Sequence, residues 1–145
     1  MTNHQTPTAL SKHIHDVLSF KKEFQLERLI LFSDAVFAIA ITLLVIEIKV
    51  PVLADASTHA MKEALAEKTP EFFAFILSFA VIGQFWISHH RMFGYVTGYT
   101  NGLLWLNLLL LLGVVLVPFT SGLNSHYGGL DIVWMVYSLN MTLIS

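Results

Sequence analysis

Between Arg28 and Lys49 the chain runs for twenty residues, Leu29 to Ile48, with Asp34 and Glu47 as the only acidic or basic side chains. At ~1.5 Å of rise per residue, a helix of that length covers the ~30 Å hydrocarbon core of a bilayer. The run reads as a membrane-spanning helix, and Pro51 stops it. Two more apolar runs follow at about 72–90 and 103–121, and a fourth begins at 131 and reaches 145. Charged residues make up 12% of the chain, against about 25% in a soluble domain. Mean hydropathy is +0.67. The fold class these numbers leave is an all-α, polytopic transmembrane helix bundle.

Eight Lys+Arg against ten Asp+Glu give a net charge of −2, so the chain has no basic footprint for nucleic acid. It has no cysteine, which removes thiolate metal ligands and cysteine nucleophiles together. Residues 1–27 are polar and lack the apolar stretch of a signal peptide. They are expected to form a cytoplasmic N-terminal segment, with a frayed start and a juxtamembrane or interfacial helix over Ser11 to Glu27. Residues 28–145 are expected to form the membrane domain. A short helix is predicted around His59 to Lys68, with loops at Gly94 to Gly102 and from Ser121-Gly122 to Gly128-Gly129. The fourth run has fourteen residues from Ile132, or ~21 Å, too short for the ~30 Å core. The sequence is therefore expected to be part of a longer protein. Lys12, Lys21, Lys22, Arg28 and Arg91 fall on one side, and Lys49, Lys62 and Lys68 on the other. This bias places the N-terminus in the cytoplasm.

The first span carries the chemistry. An aspartate within a span costs about 2.5–3.5 kcal/mol on insertion scales and normally faces protein or water. Asp34 sits in the cytoplasmic third, and the second span, running the other way, brings Trp86, His89, His90 and Arg91 to that depth. A polar network of Asp34 and Ser33 with that cluster is expected, either as a structural clasp or as a proton relay. On a helical wheel Ile39, Leu43 and Ile46 share one direction within ~40°, with Phe32 and Ala35 below them and Thr42 at the border. Asp34 points more than ~120° away. Lipid contact, helix packing or a hydrophobic constriction in a pore would each produce such a stripe.

Arg28-xxx-Phe32-Ser33-Asp34, followed by Ile39 and Thr42, resembles the signature of the transmembrane protein 175 family of potassium channels. Phe85-Trp86 with His89-His90-Arg91 is similar to that family's second-span pattern, and the likeness covers about residues 28–95. The resemblance implies a potassium-selective channel in the cell membrane, assembled as a homotetramer, with the first helix lining the pore. By position it implies Ile39, Leu43 and Ile46 as pore-facing apolar layers and Thr42 as their polar neighbour. Arg28, Phe32, Ser33, Asp34, Trp86 and His89 would form the packing network. It implies no cofactor beyond permeant K⁺, and no catalytic or metal-binding residue. Bacterial members have six spans, whereas this chain shows three and most of a fourth.

Other motifs point elsewhere only weakly. Val96-Thr97-Gly98-Tyr99 echoes a potassium-channel filter, but the valine is out of order and no pore helix precedes it, so it reads as a loop. His89 and His90 are adjacent, so their rings diverge on a helix and do not make a zinc pair. Asn107 and Gln84 are expected to hydrogen-bond between helices. Glu47 reads as a solvated flank charge or as a cation-attracting ring at the outer end. The competing function is a proton-coupled or secondary transporter using Asp34, though no Gly or Pro breaks the first span as carriers' helices are broken. A membrane-embedded enzyme would need a triad or paired acids in the spans, and the sequence has neither.

Overall fold

The computed structural model describes residues 9–145, the side chains of Ala9 and His15 apart. Of the expected frayed start before Ser11, residues 1–8 lie outside the described residues, and Ala9 and Leu10 are already helical. The first helix, α1, spans Ala9–Leu43 and passes into a 3₁₀ turn at Leu44–Glu47; α2 is Thr58–Glu67, α3 Thr69–Phe93, α4 Asn101–Tyr127 and α5 Asp131–Ile144. No strand occurs among the described residues.

Local chemistry sets each boundary. From Ala9 to Leu43 there is no Gly or Pro, so nothing interrupts the hydrogen-bond ladder. The juxtamembrane or interfacial helix expected over Ser11 to Glu27 is helical, and it forms the first half of α1, continuous with the span. The helix tightens at Leu44, and Ile48 leaves it with φ −81 and ψ 99. Ser57 caps α2 by accepting from the Ala60 amide at 3.2 Å. Lys68 ends α2 and begins α3, and Pro70 sits in the first turn of α3, where its missing N–H is not needed. Thr100 caps α4 through the Leu103 amide at 3.1 Å.

The α4 helix is longer than its sequence suggests. Ser121 and Gly122, expected in a loop, lie inside it, because their tertiary partners favour helix there. The Ser121 hydroxyl meets that of Ser78 on α3 at 2.6 Å. Gly122 admits the Glu47 side chain, since a Cβ at that position would stand 2.5 Å from Glu47 Oε2.

The contacts give the topology. Ser33 bonds Asn107, Asp34 bonds Trp86, Ser78 meets Ser121 and Glu47 lies beside Gly122, so α3 runs antiparallel to α1 while α4 runs parallel to it. Asn140 reaches Thr120, and Ile144 reaches Gly113, which sets α5 antiparallel to α4. The core is Phe37, Ala40 and Leu44 of the first helix and its turn, Ile82 of α3, Leu111, Val114 and Val117 of α4, and Ile144 of α5. Three helices, α1, α3 and α4, are long and apolar enough to cross a membrane, and α5 is a shorter apolar helix. Large apolar side chains such as Phe73, Trp105 and Leu106 stand exposed around the outside, which suits a surface solvated by lipid.

Candidate pore helix and its polar clasp

The membrane half of α1 has two faces. Leu29, Ser33, Phe37, Ala40 and Leu44 recur at helical spacing, and all are buried against α3 and α4. Away from them, Ile39 is 56% exposed, Leu43 41% and Ile46 59%. The 3₁₀ turn advances by ~120° per residue, which sets Ile46 above Leu43 rather than drifting off the stripe. Thr42 donates its hydroxyl proton to the Ile39 carbonyl at 2.8 Å, leaving its oxygen able to accept. On the protomer the stripe stays partly exposed.

The buried face holds a polar clasp joining three helices. Ser33, His89 and Asn107 are each buried. One proton arrangement satisfies the distances. The Ser33 hydroxyl donates to the Leu29 carbonyl at 2.9 Å and accepts from Asn107 Nδ2 at 2.9 Å. Asn107 Oδ1 then accepts from His89 Nε2 at 2.8 Å, so His89 carries its proton on Nε2. The imidazole packs between Phe37 and Phe93, at centroid distances of 5.4 and 4.4 Å. Its Nδ1 is buried without a partner.

A second clasp lies on the α3 flank. Trp86 Nε1 donates to Asp34 Oδ1 at 2.8 Å, and the Trp86 ring stacks at 5.8 Å on His90. The single network expected of Asp34, Ser33, Trp86 and His89 is thus two. Ser33 and Asp34 are neighbours in sequence, so on a helix they point ~100° apart and reach different partners. Arg28, Phe32 and Arg91 are exposed and belong to neither clasp; Arg28 and Phe32 instead line a groove beside Tyr99 and Leu104. Asn107 is the central member, and the sequence reading paired it with Gln84. Gln84 donates instead to Ser88 on its own helix at 3.4 Å. An amide at the fifth position of an apolar run was the available signal for Asn107.

Toward the other end of α1, Glu47 is half-buried rather than a free flank charge. It shares a cavity of about 10 Å³ with Glu71, Ser121, Ser125 and His126, which is room for about one water. His126 Nδ1 donates to the Gly122 carbonyl at 2.9 Å. Among the described residues no three His, Asp or Glu side chains are placed to hold a metal ion. The Val96-to-Tyr99 stretch is irregular loop. What the arrangement offers chemically is a rigid helix, pinned by polar bonds on one side, with an uncharged stripe free on the other.

The family model described as the endosomal/lysosomal potassium channel TMEM175 matches residues 28–118, more than half of the chain. The chain belongs to the TMEM175 family. A potassium channel of Streptomyces collinus is 43% identical to this TMEM175-family chain over 114 residues, covering 76% of this chain and 54% of the relative. A potassium channel of Chamaesiphon minutus is 45% identical over 96 residues, covering 66% and 47%. The human endosomal/lysosomal proton channel TMEM175 is 35% identical over 135 residues, covering 88% and 25%. Among solved structures, the crystal structure of a lysosomal potassium-selective channel TMEM175 homolog from Chamaesiphon minutus superposes with a TM-score of 0.76 at 38% identity. It covers 83% of this chain and 65% of that one. The chain spans about half the length of the bacterial relatives. With its three span-length helices, this TMEM175-family chain is a membrane protein.

Proposed function

We propose that the chain forms a potassium-selective channel in the cell membrane, a homotetramer with its N-terminus in the cytoplasm, and that it is not an enzyme. The pore is lined by α1, with Ile39, Leu43 and Ile46 as its apolar constriction and Thr42 beside them. The observation that carries this reading is the stripe itself: large aliphatic side chains, free of charge, exposed on a helix whose other face packs on α3 and α4. One such stripe cannot enclose an ion path, whereas copies around a symmetry axis can, and apolar rings gate by wetting and dewetting. The bacterial relatives named as potassium channels support the choice of ion. A carrier built on Asp34 is the weaker reading, because α1 runs unbroken through that residue and carriers bind at discontinuous helices.

Two measurements test this. Purified protein in planar bilayers should show unitary current steps with a K⁺-selective reversal potential; smooth flux without steps refutes the channel. The cysteine-free chain carrying Ile39→Cys should form disulfide-linked dimers on oxidation in membranes, while Ile41→Cys should not. A monomer mass by light scattering together with no crosslink at position 39 overturns the assembly.

A further inference from the structure

The membrane fold accounts for only the second half of α1. Every described side chain from position 10 to 25 is exposed, and the helix carries them without a break into the span. At ~1.5 Å per residue, residues 9–27 project about 28 Å beyond it. Several of these exposed side chains are large and apolar: Leu10, Ile14, Val17, Leu18, Phe20 and Phe24.

Their phase is informative. Counting ~100° per residue from Leu10, Ile14, Val17 and Phe24 fall within about 40° of it, and Leu18 and Phe20 flank it at about 80° on either side. Lys12, Asp16, Ser19, Lys22 and Glu23 occupy the opposite face. Carried along the same unbroken helix, the apolar direction meets Ala35, Ile39 and Thr42 within about 40° and Leu43 at about 60°. The buried Ser33, Phe37 and Ala40 lie about 120–180° away. So the apolar face of the extension continues the free stripe of the membrane half, and its polar face continues the half packed on α3 and α4.

We infer that residues 9–27 are a self-association segment, in which the α1 extensions of neighbouring copies pack against one another as a parallel bundle coaxial with the pore stripe. The inference rests on the pore-lining reading of α1, since that reading supplies the axis. Three features select a second copy of this chain as the occupant. An unbroken helix leaving the bilayer cannot also lie flat on its surface, and no Gly or Pro supplies a hinge. The apolar arc, about 160° wide, exceeds the narrow seam of a two-stranded coil and suits a bundle of more strands. Leu10, Ile14, Val17 and Phe24 recur at intervals of four, three and seven, the heptad spacing that identical parallel helices share in register. Lys21 lies within the arc, His13 and Gln25 lie about 60° to either side of Leu10, and Arg28 follows in line just beyond the segment; the long stems of Lys21 and Arg28 let their charged ends reach water.

Single cysteines at positions 17, 19, 39 and 41 of the otherwise full chain, oxidised in native membranes, test the proposal. Val17→Cys should yield disulfide dimers at least ten times faster than Ser19→Cys, alongside the contrast between 39 and 41. Crosslinking at 39 without crosslinking at 17 overturns the bundle and leaves the channel reading standing. Equal rates at 17 and 19 also overturn it, because random collision explains them. No crosslink at either 17 or 39 overturns both readings. A nitroxide at position 17 gives an independent readout: in the bundle it is shielded from water-soluble and lipid-soluble relaxing agents alike, whereas strong oxygen accessibility means the segment lies in the bilayer interface and refutes the proposal.

Discussion

Replacing Asn107 by leucine removes the centre of the three-helix clasp while keeping side-chain volume close to the original. Two interhelical hydrogen bonds disappear, one to Ser33 at 2.9 Å and one from His89 at 2.8 Å. Bonds of this kind between membrane helices are worth ~0.6 kcal/mol on average and up to ~1.7. Ser33 keeps its bond to the Leu29 carbonyl, so its loss sits at the low end. His89 keeps nothing: its Nδ1 is already unpartnered, and its Nε2–H becomes a buried orphan, at a cost of roughly 1–3 kcal/mol. The expected loss is about 2 kcal/mol, a factor of about 30 in the folded-to-unfolded ratio. Reversible unfolding in mixed micelles with increasing SDS fraction, followed by tryptophan fluorescence, measures it. Adding His89→Phe to Asn107→Leu removes both ends of the bond and places a ring between Phe37 and Phe93, where the imidazole now packs. The double variant should recover at least half of the loss. If the two substitutions instead add fully, or if Asn107→Leu alone costs less than 0.5 kcal/mol, the clasp does not hold the helices as described.

Three further outcomes are expected. Ile39→Asn should wet the proposed constriction and change conductance or K⁺/Na⁺ preference in single-channel records, whereas Ile41→Asn, on a partly buried position that packs against the core, should reduce folded yield; equal effects count against pore lining by this face. Asp34→Asn keeps an acceptor for Trp86 and should fold and conduct normally, while Asp34→Ala should lose roughly 1 kcal/mol; in a double-mutant cycle Asp34 should couple to Trp86 and not to His89, and loss of ion flux in Asp34→Asn would instead favour a proton-coupled carrier. Gly113→Ala puts a Cβ 2.6 Å from Ile144 Cγ1 and should destabilise by about 1–3 kcal/mol, whereas Gly83→Ala, with nothing within 4 Å, should be neutral or stabilise by about 0.5–1 kcal/mol; thermal unfolding in detergent separates them.

Span number, the antiparallel placement of the first two membrane helices and the two faces of α1 were legible from hydropathy and period alone, because lipid demands that each spanning segment satisfy its own backbone and that its length match the bilayer. That Asp34 meets a polar group of the second span was legible too, since an acid within a span needs a partner at its own depth, but not that Trp86 is the group it meets. The rest required tertiary structure. A residue's depth in a span says how far it lies from a neighbour along the bilayer normal, not which way it points. Ser33 and Asp34 share a depth and diverge by ~100°, so only the packed helices could separate their partners and bring Asn107 from α4 to the centre. The extent of α4 through Ser121-Gly122 was likewise decided by Ser78 and Glu47, residues more than forty positions away in the chain. Local composition read those two as a loop, and contacts with distant residues made them a helix.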